Sequence, residues 1–445
     1  MDIIDSITAA MRDQLDEWGH IPFSVLDRNV IDENHFDLDK WCQYIESTHI
    51  CTEDFFYLPS GCVVYYKGFV YCDIDQYAPG SYWENNINSM LTDARKMLEA
   101  GQYEYIFGCF IDKRIALKVF LLMLNDLPVN QIYGLFKNVY SRTEYNFDVL
   151  TDDKLNLIKL SRMETLVLPG VNEHGFVEVY RGMSSQSTDI DEAYSWTLNL
   201  ATAVYFACRF SRIAGIGDVY RTWIHQDKIV AYIDYRREDE VIIIPSENED
   251  ELFEAELVEF WDLDYIRAIL EQNSYLKIYE QFLGFIQEED FVASYYHGLT
   301  HTKRVLMLTI CLCFLLEVEV DDIFVLSVAA IYHDIGRSDD GEDSRHGVQS
   351  FAKALNKPLL KMYTSDIHII RYIIENHCIE DSLAFKNVLN YEVANAEHAI
   401  ELLRIFKDAD GLDRFRIKDL DARKLRHPEA LDLLVVAWEL LQNDE

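Results

Sequence analysis

The spacing of apolar positions along the chain divides it into stretches with different predicted structure. Residues 1–90 mix short helical patterns with an alternating run of β-branched and aromatic residues at 62–73, which predicts a hairpin around Gly68. Helical spacing follows in two segments, and short strand patterns then flank an alanine-rich helical pattern. The helical segments are 114–124 and 131–139, the strand patterns are 177–180, 229–235 and 241–244, and the alanine-rich helix is 200–210. This mixture predicts an α+β domain over residues 91–250.

The last part of the chain is helical in pattern almost throughout, so we expect an all-α bundle over residues 255–445. Candidate helices are 257–271, 302–316, 321–333, 364–377, 394–407 and 429–441. A polar and acidic connector at 245–255 predicts a domain junction between the α+β domain and this bundle. Residues 1–90 form an N-terminal accessory region of undetermined role.

The charge of the 445-residue chain narrows the classes of partner. The formal net charge is −37, so the chain as a whole repels nucleic acid and anionic membrane surfaces, and we expect no generic binding to either. An apolar fraction of 49% is too high for a disordered acidic chain and supplies residues for several cores.

The cysteines and the apolar runs indicate where in the cell the protein is expected. Nine cysteines without a CxxC pair are typical of reduced thiols. The longest apolar run, 305–316, is shorter than the roughly 20 residues that span a bilayer, and the N-terminus lacks a signal-peptide pattern. We therefore expect a cytoplasmic protein.

Histidines and aspartates in the last third suggest a metal site. His333 and Asp334 are adjacent at the end of a helical pattern, where an imidazole and a carboxylate can bind one divalent cation together. Because a metal needs about four to six donors, further ligands must come from other helices. His301 upstream is one candidate, and Asp408 or Asp410 downstream supplies the second carboxylate.

This ordered set resembles the HD superfamily of metal-dependent phosphohydrolases, whose pattern is H…HD…D on a helical bundle. The resemblance implies His301, His333, Asp334 and Asp410 as ligands, with Asp408 the close competitor in the Asp-Ala-Asp step. It also implies that His297 donates a proton, and that His346 and His377 are extra ligands of two-metal members. Cys378 stands where such members often have a second histidine, which departs from the two-metal pattern.

The reaction implied is hydrolysis of a nucleotide or another phosphate ester or anhydride by metal-activated water, with Mn, Fe, Mg, Ni or Zn as the ion. Arg337 and the pair Lys303-Arg304 either bind substrate phosphate or end helices in solvent. The alternative for the histidines is an ordinary position in a core or on a helix surface, without metal.

Three short motifs mark the middle of the chain. Arg181 lies in Val-Tyr-Arg-Gly-Met, Ser195 and Thr197 lie in Ser-Trp-Thr before a helix of small residues, and Glu238 and Glu240 lie in Arg-Glu-Asp-Glu before an apolar run and a proline. In this order the motifs resemble ADP-ribosyltransferases of the Arg–Ser–Glu type, the class shared by clostridial toxins and arginine-specific transferases.

The resemblance implies NAD as substrate. Arg181 would bind the pyrophosphate of NAD, and Glu240 would stabilise the oxocarbenium-like charge that develops when nicotinamide leaves. Ser195 would orient Glu240, Thr197 would help to bind NAD, and Glu238 would accept a proton from an incoming guanidinium. The alternatives are a structural strand arginine, ordinary strand or cap hydroxyls, and a chance Glu-x-Glu in an acidic chain.

The sequence thus predicts a mono-ADP-ribosyltransferase that modifies a macromolecular acceptor, with protein arginine the favoured one. The C-terminal HD phosphohydrolase would act on its own substrate or regulate the transferase. By analogy with the transferase class, a toxin, effector or phage-defence role is plausible. The alternatives are a glycohydrolase that depletes NAD and a non-catalytic protein that senses nucleotides.

Overall fold

The computed structural model describes residues 3–26, 38–48, 50–59, 61–74, 81–143, 147–185, 187–244, 255–294, 296–341, 343–362 and 366–443. Contacts divide the chain into two compact units. The first is Met1–Leu168 with Asp227–Arg236 and Ile242–Ile244, and the second is Pro169–Gln226 with Arg237–Val241 and Pro245–Glu445. These units do not follow the predicted boundaries at residues 90 and 250, and most of the predicted connector at 245–255 lies outside the described residues. The predicted functional domains therefore stay a prediction.

Helices account for most of the described chain. In chain order they are α1 (Ile3–Glu17), α2 (Leu38–Ser47), α3 (Ser81–Glu99), α4 (Tyr103–Cys109), α5 (Lys113–Met123), α6 (Val129–Arg142), α7 (Asp152–Leu160), α8 (Leu200–Cys208), α9 (Ser211–Ala214), α10 (Leu263–Gln272), α11 (Tyr275–Leu283), α12 (Leu299–Leu315), α13 (Val320–Tyr332), α14 (His346–Ala354), α15 (Pro358–Met362), α16 (Ile367–Asn376), α17 (Asp381–Asn387), α18 (Ala396–Leu412), α19 (Pro428–Asp432) and α20 (Leu434–Asn443).

The strands are short and fall in the first 260 residues. They are β1 (Ile21–Pro22), β2 (Phe55–Tyr57), β3 (Val63–Lys67), β4 (Val70–Ile74), β5 (Phe176–Gly182), β6 (Ser195–Thr197), β7 (Val219–His225), β8 (Ile229–Ile233), β9 (Glu240–Ile243) and β10 (Glu256–Leu257).

The first unit contains an antiparallel sheet in the sequential order β1-β2-β3-β4. The predicted hairpin is present, because β3 and β4 pair with Lys67 opposite Val70 and Gly68 turns with a φ of 54°. Buried aromatic side chains, among them Trp41, Phe55 and Tyr65, form the core against this sheet. The helical patterns at 114–124 and 131–139 correspond to α5 and α6.

The second unit begins with strands in the order β10-β7-β5-β6-β9, of which β10, β7, β5 and β6 pair in antiparallel fashion. Strand β5 pairs along its whole length with β7, and Tyr180 pairs with Thr197 of β6. Helix α8 packs on β5 at Gly182, where any side chain would overlap the backbone of Ala203. The glycine that follows Arg181 therefore lets this helix approach the strand closely.

The rest of the second unit is the predicted helical bundle, centred on α12. Most residues of α12 are buried, and α11, α13 and α18 pack around it. The helix predicted from residue 257 begins at Leu263, because the Asp262 side chain caps it by accepting from the Tyr265 amide. The helix predicted at 429–441 is two helices that meet at Leu433. Among the described residues, no helix is both long and apolar enough to cross a membrane.

Candidate metal centre and second polar cluster

Three imidazoles in the bundle are anchored in the same way. The Nδ1 atoms of His333 and His377 lie 2.9 and 2.8 Å from the carbonyl oxygens of Ala330 and Ile374, each three residues earlier in the chain. His346 contacts the carbonyl of Asp343 through Nδ1 in the same manner. Because a carbonyl oxygen can only accept, Nδ1 carries a proton in each ring, and Nε2 remains available as a metal ligand.

A fourth imidazole, His301 on α12, completes the cluster. Its Nδ1 lies 2.7 Å from Oδ2 of Asp413, and its Nε2 lies 3.1 Å from Nε2 of His333. His346 and His377 form a second such pair, with their Nε2 atoms 2.9 Å apart. Two unprotonated imidazole nitrogens at this distance repel each other unless a proton or a cation lies between them. These pairs therefore fit a cation site.

Two carboxylates enter the same pocket. Asp334 Oδ2 lies 3.6 Å from His301 Nε2, and its Oδ1 lies 3.1 Å from His346 Nε2. Asp410 Oδ1 lies 3.5 Å from His301 Nε2. Oδ1 of Asp334 is buried and forms no hydrogen bond of good geometry, although His346 is close by. A buried carboxylate oxygen facing imidazole nitrogens is what a divalent cation needs as a ligand.

The electrostatics of the pocket suit a cation. Burial lowers the pKa of His333 to about 3, which keeps the ring neutral at physiological pH. Burial alone would raise the pKa of Asp334, but the histidines around it, led by His333, hold that pKa well below its usual range. Burial would lower the pKa of His346 and of His377, but contact with Asp334 raises the first to about 10 and raises the second as well. These two rings must therefore release a proton to bind a cation, whereas His333 is already neutral.

The structure distinguishes Asp408 from Asp410, the two candidates for the second carboxylate of the metal site. Asp408 is fully buried and accepts hydrogen bonds from the backbone amides of Arg426 and His427 at 2.9 and 3.0 Å. It also accepts from the Arg426 guanidinium at 3.0 Å and from Nδ1 of His427 at 2.7 Å. Its oxygens are therefore occupied away from the histidine cluster, whereas Asp410 faces it.

Asp413, a residue without a predicted role, contacts Nδ1 of His301, on the opposite side of the ring from His333. Its carboxylate is 1% exposed and receives Nε of Arg304 at 2.5 Å and Nη1 of Arg416 at 3.3 Å. The suggestion that Arg304 binds substrate phosphate is therefore wrong, because its guanidinium is buried in this ion pair. The only signal in the sequence was the i+3 spacing of Asp413 from Asp410, which puts it on the adjoining turn.

A family model described as the HD domain matches residues 298–414. Residues 298–414 form an HD domain. The match includes the histidine and aspartate cluster, and HD domains are commonly metal-dependent phosphohydrolases. No curated protein and no solved structure matches the chain. The match does not extend to the strands of the second unit, where the resemblance to ADP-ribosyltransferases stays a prediction.

The strands of the second unit carry a separate polar cluster. Oγ of Ser195, at the start of β6, donates to Oε1 of Glu240 across 2.5 Å. Nη1 of Arg181 on β5 donates to the carbonyl oxygen of Ser195 across 2.6 Å. Ser195 therefore contacts both of the other predicted residues, Arg181 through its carbonyl and Glu240 through its hydroxyl.

Glu238 lies in the tight turn that leads into Glu240. Arg237 and Asp239, on either side of it, adopt the left-handed conformation with φ values of 59° and 48°. The hydroxyl of Thr197 donates to the carbonyl of Glu238 across 2.5 Å, and it accepts from the amide of Asn199 at 3.0 Å. The buried Thr197 hydroxyl thus fixes this turn, which favours an indirect role in the predicted NAD binding.

Proposed function

We propose that the HD domain binds a divalent cation through His301, His333, Asp334 and Asp410 and hydrolyses a phosphate ester or anhydride, with a nucleotide the favoured substrate. The observation that carries the proposal is the convergence of anchored imidazoles with the buried carboxylate of Asp334 and the partly exposed carboxylate of Asp410. A cation bound by these residues would lower the pKa of its water and neutralise phosphate charge. His346 and His377, with Oδ1 of Asp334, offer donors for a second cation.

His297 would move a proton beside the proposed metal ligands. Its Nδ1 lies 3.2 Å from Oδ2 of Asp334 and 3.4 Å from Nη2 of Arg416. Its side chain keeps 13% exposure, whereas Asp334 keeps 3%. A partly exposed imidazole beside a buried carboxylate can protonate the leaving oxygen of a phosphate ester.

The test is metal analysis and hydrolysis with the full-length chain. The double variant His333→Ala, Asp334→Ala should purify with little metal and lose hydrolysis of a panel of nucleotides and of bis-p-nitrophenyl phosphate. The matched control is His398→Ala, since His398 pairs with Asp322 at 3.0 Å elsewhere in the same bundle and should not affect metal content. Stoichiometric metal retained in the double variant would contradict the ligand assignment.

We also propose a second activity, the transfer of ADP-ribose from NAD to a macromolecular acceptor. The contacts that join Arg181, Ser195 and Glu240 support it. Glu240, oriented by the hydroxyl of Ser195, would stabilise the sugar cation formed as nicotinamide leaves, and Arg181 would bind the pyrophosphate of NAD. Glu238 would accept the proton of an arginine acceptor.

The test of this second activity is incubation of the protein with labelled NAD and a cell lysate. Label on protein supports transfer, whereas label found only as free ADP-ribose supports NAD hydrolysis. Glu240→Gln should abolish nicotinamide release, while the control Glu256→Gln, in an exposed ion pair with Arg221, should not. Full nicotinamide release by Glu240→Gln would contradict the site, and no release by the wild type would favour a non-catalytic nucleotide sensor.

A biological role as toxin, effector or phage-defence protein is the context we propose for this transferase, by analogy with its class. Expression of the wild type in a bacterial host should then slow growth, and Glu240→Gln should relieve the defect. Equal growth with both proteins would argue against that role.

A further inference from the structure

A short segment beyond the HD match contacts the strand cluster. We define this docking segment as residues 419–424. Nη2 of Arg423 lies 2.6 Å from Oδ2 of Asp239, in the turn that carries Glu238. Asp419 lies 4.0 Å from Nη1 of Arg237 on the other side of Glu238. The docking segment therefore reaches both left-handed residues of this turn.

Asn199 fixes the docking segment to the start of α8. Its side chain is 3% exposed, and its Nδ2 donates to the carbonyl of Leu420 across 2.9 Å. Its Oδ1 accepts from the amide of Ala422 at 3.1 Å and from the amide of Ala201 at 3.1 Å. Both the amide nitrogen and the amide oxygen of this buried side chain are used, so the segment has a defined position relative to α8.

The turn at 237–239 needs such support. A left-handed conformation is unfavourable by roughly 1–2 kcal/mol for a residue other than glycine, and two such residues flank Glu238. Within the sheet, the turn is held by Thr197 and by the Leu198 amide, which donates to the carbonyl of Asp239 across 2.9 Å. Arg423 adds a charged contact from outside the sheet.

The side chain of Arg423 is oriented by Asp421, a residue of the same docking segment. Its Nε donates to Oδ1 of Asp421 across 2.8 Å, and its own amide donates to the same oxygen across 3.1 Å. Nη2, the nitrogen that meets Asp239, also donates to Oδ2 of Asp421 across 3.1 Å, so Asp421 fixes the whole guanidinium. A side chain that is already fixed loses less entropy when it forms a further ion pair, and this pair is only partly exposed, at 40% for Arg423 and 16% for Asp239.

We propose that Arg423 is a positioning residue for Glu238, and that the docking segment completes the acceptor side of the transferase site. The inference rests on the proposed transfer of ADP-ribose. Glu240 is held independently, by strand β9 and by the hydroxyl of Ser195. Loss of Arg423 therefore loosens Glu238, which would receive the proton of the acceptor, more than Glu240, which would act on NAD.

The test compares two activities in Arg423→Ala with the full-length protein. Transfer of ADP-ribose to agmatine, a small guanidine, should fall by about fivefold or more, while nicotinamide release without an acceptor should stay within about twofold of the wild type. Arg423→Lys should restore part of the transfer. The matched control is Arg404→Ala, because Arg404 is 42% exposed and also pairs with an acid, Glu401. An unchanged transfer rate, or an equal fall of both activities, would overturn the proposal.

A second measurement keeps the inference testable apart from the transferase itself. If the wild type neither releases nicotinamide nor labels agmatine, the proposed activity fails. Hydrogen exchange then decides the positioning role alone, because the Leu198 amide reports on the turn. Arg423→Ala should speed exchange at this amide by about fivefold or more and leave α12 unchanged. Unchanged exchange at Leu198 would refute the role of Arg423 whatever the chemistry of the site.

Discussion

Replacement of Asp413 by asparagine tests whether the buried carboxylate behind His301 sets the metal affinity of the HD domain. The carboxylate lies 2.7 Å from Nδ1 of His301 and fixes the orientation of the ring. Loss of a residue that hydrogen-bonds to a metal ligand typically lowers metal affinity about 10- to 100-fold, or about 1.4–2.7 kcal/mol. The asparagine side chain would keep an oxygen that accepts from His301 but would carry no charge.

The same change should reduce the stability of the fold. Arg304 is 2% exposed and Arg416 is 3% exposed, and both direct guanidinium nitrogens at Asp413. Removal of one partner from a buried ion pair lowers the free energy of unfolding by about 3–5 kcal/mol. Because asparagine retains one acceptor oxygen, we expect a loss of about 3 kcal/mol for Asp413→Asn.

The assay uses full-length protein stripped of metal, titrated with Zn²⁺ or Mn²⁺ against a chelating dye, alongside urea unfolding of the metal-free form. The matched control is Asp322→Asn, which removes a carboxylate from another histidine, His398, outside the pocket. It should change metal affinity by less than about twofold. Wild-type affinity in a folded Asp413→Asn protein would refute the reasoning, as would an equal loss of affinity in the control.

Three further predictions separate structural roles from functional ones. Asp408→Asn should lower the free energy of unfolding by about 2–3 kcal/mol and leave the metal content intact, whereas Asp410→Asn should remove tightly bound metal. Equal metal loss in both variants would contradict the assignment of Asp410 as the ligand. The hydrogen bond to Asp408 raises the pKa of His427, so its stabilising charge is fully present below about pH 6.5 and is lost as pH rises through the raised pKa. Urea unfolding should therefore show His427→Gln to be more destabilising at about pH 5.5 than at about pH 9, and a difference independent of pH would refute this. Asn199→Ala should lower the free energy of unfolding by about 2 kcal/mol, against about 1 kcal/mol for the exposed helix cap Asn395→Ala, and equal losses would contradict the docking role of Asn199.

The helices of the bundle were predictable from local patterns, whereas the metal ligands stay a prediction. Helices α12 and α13 follow from apolar spacing, and adjacent His333 and Asp334 are residue types that can bind a divalent cation together. The choice between Asp408 and Asp410 was not predictable. On a helix, residues two apart point about 200° from each other, so only the packing of α18 decides which one faces the pocket.

Other features depend on partners that are distant in the sequence. The role of Asp413 requires Arg304, which is more than a hundred residues earlier, and no local pattern links the two. The contact of Arg423 with Asp239 spans a still longer separation. The ends of helices differ from the predicted ends for another reason. The start of α10, for example, is set by its capping residue and not by apolar spacing.

The docking segment also bears on how the second unit can be divided. A cut at the predicted boundary near residue 250 would remove the partners of Asn199 at Leu420 and Ala422, and of Asp239 at Arg423. The amide of Asn199 would then exchange two hydrogen bonds within the protein for hydrogen bonds to water, a net loss of about 0.5–1.5 kcal/mol each. Against a typical total stability of about 5–15 kcal/mol, that loss is large. The strands around Glu240 and the HD domain are therefore best regarded as one cooperative structure, in which residues 413–423 support His301 at one end and the turn of Glu238 at the other.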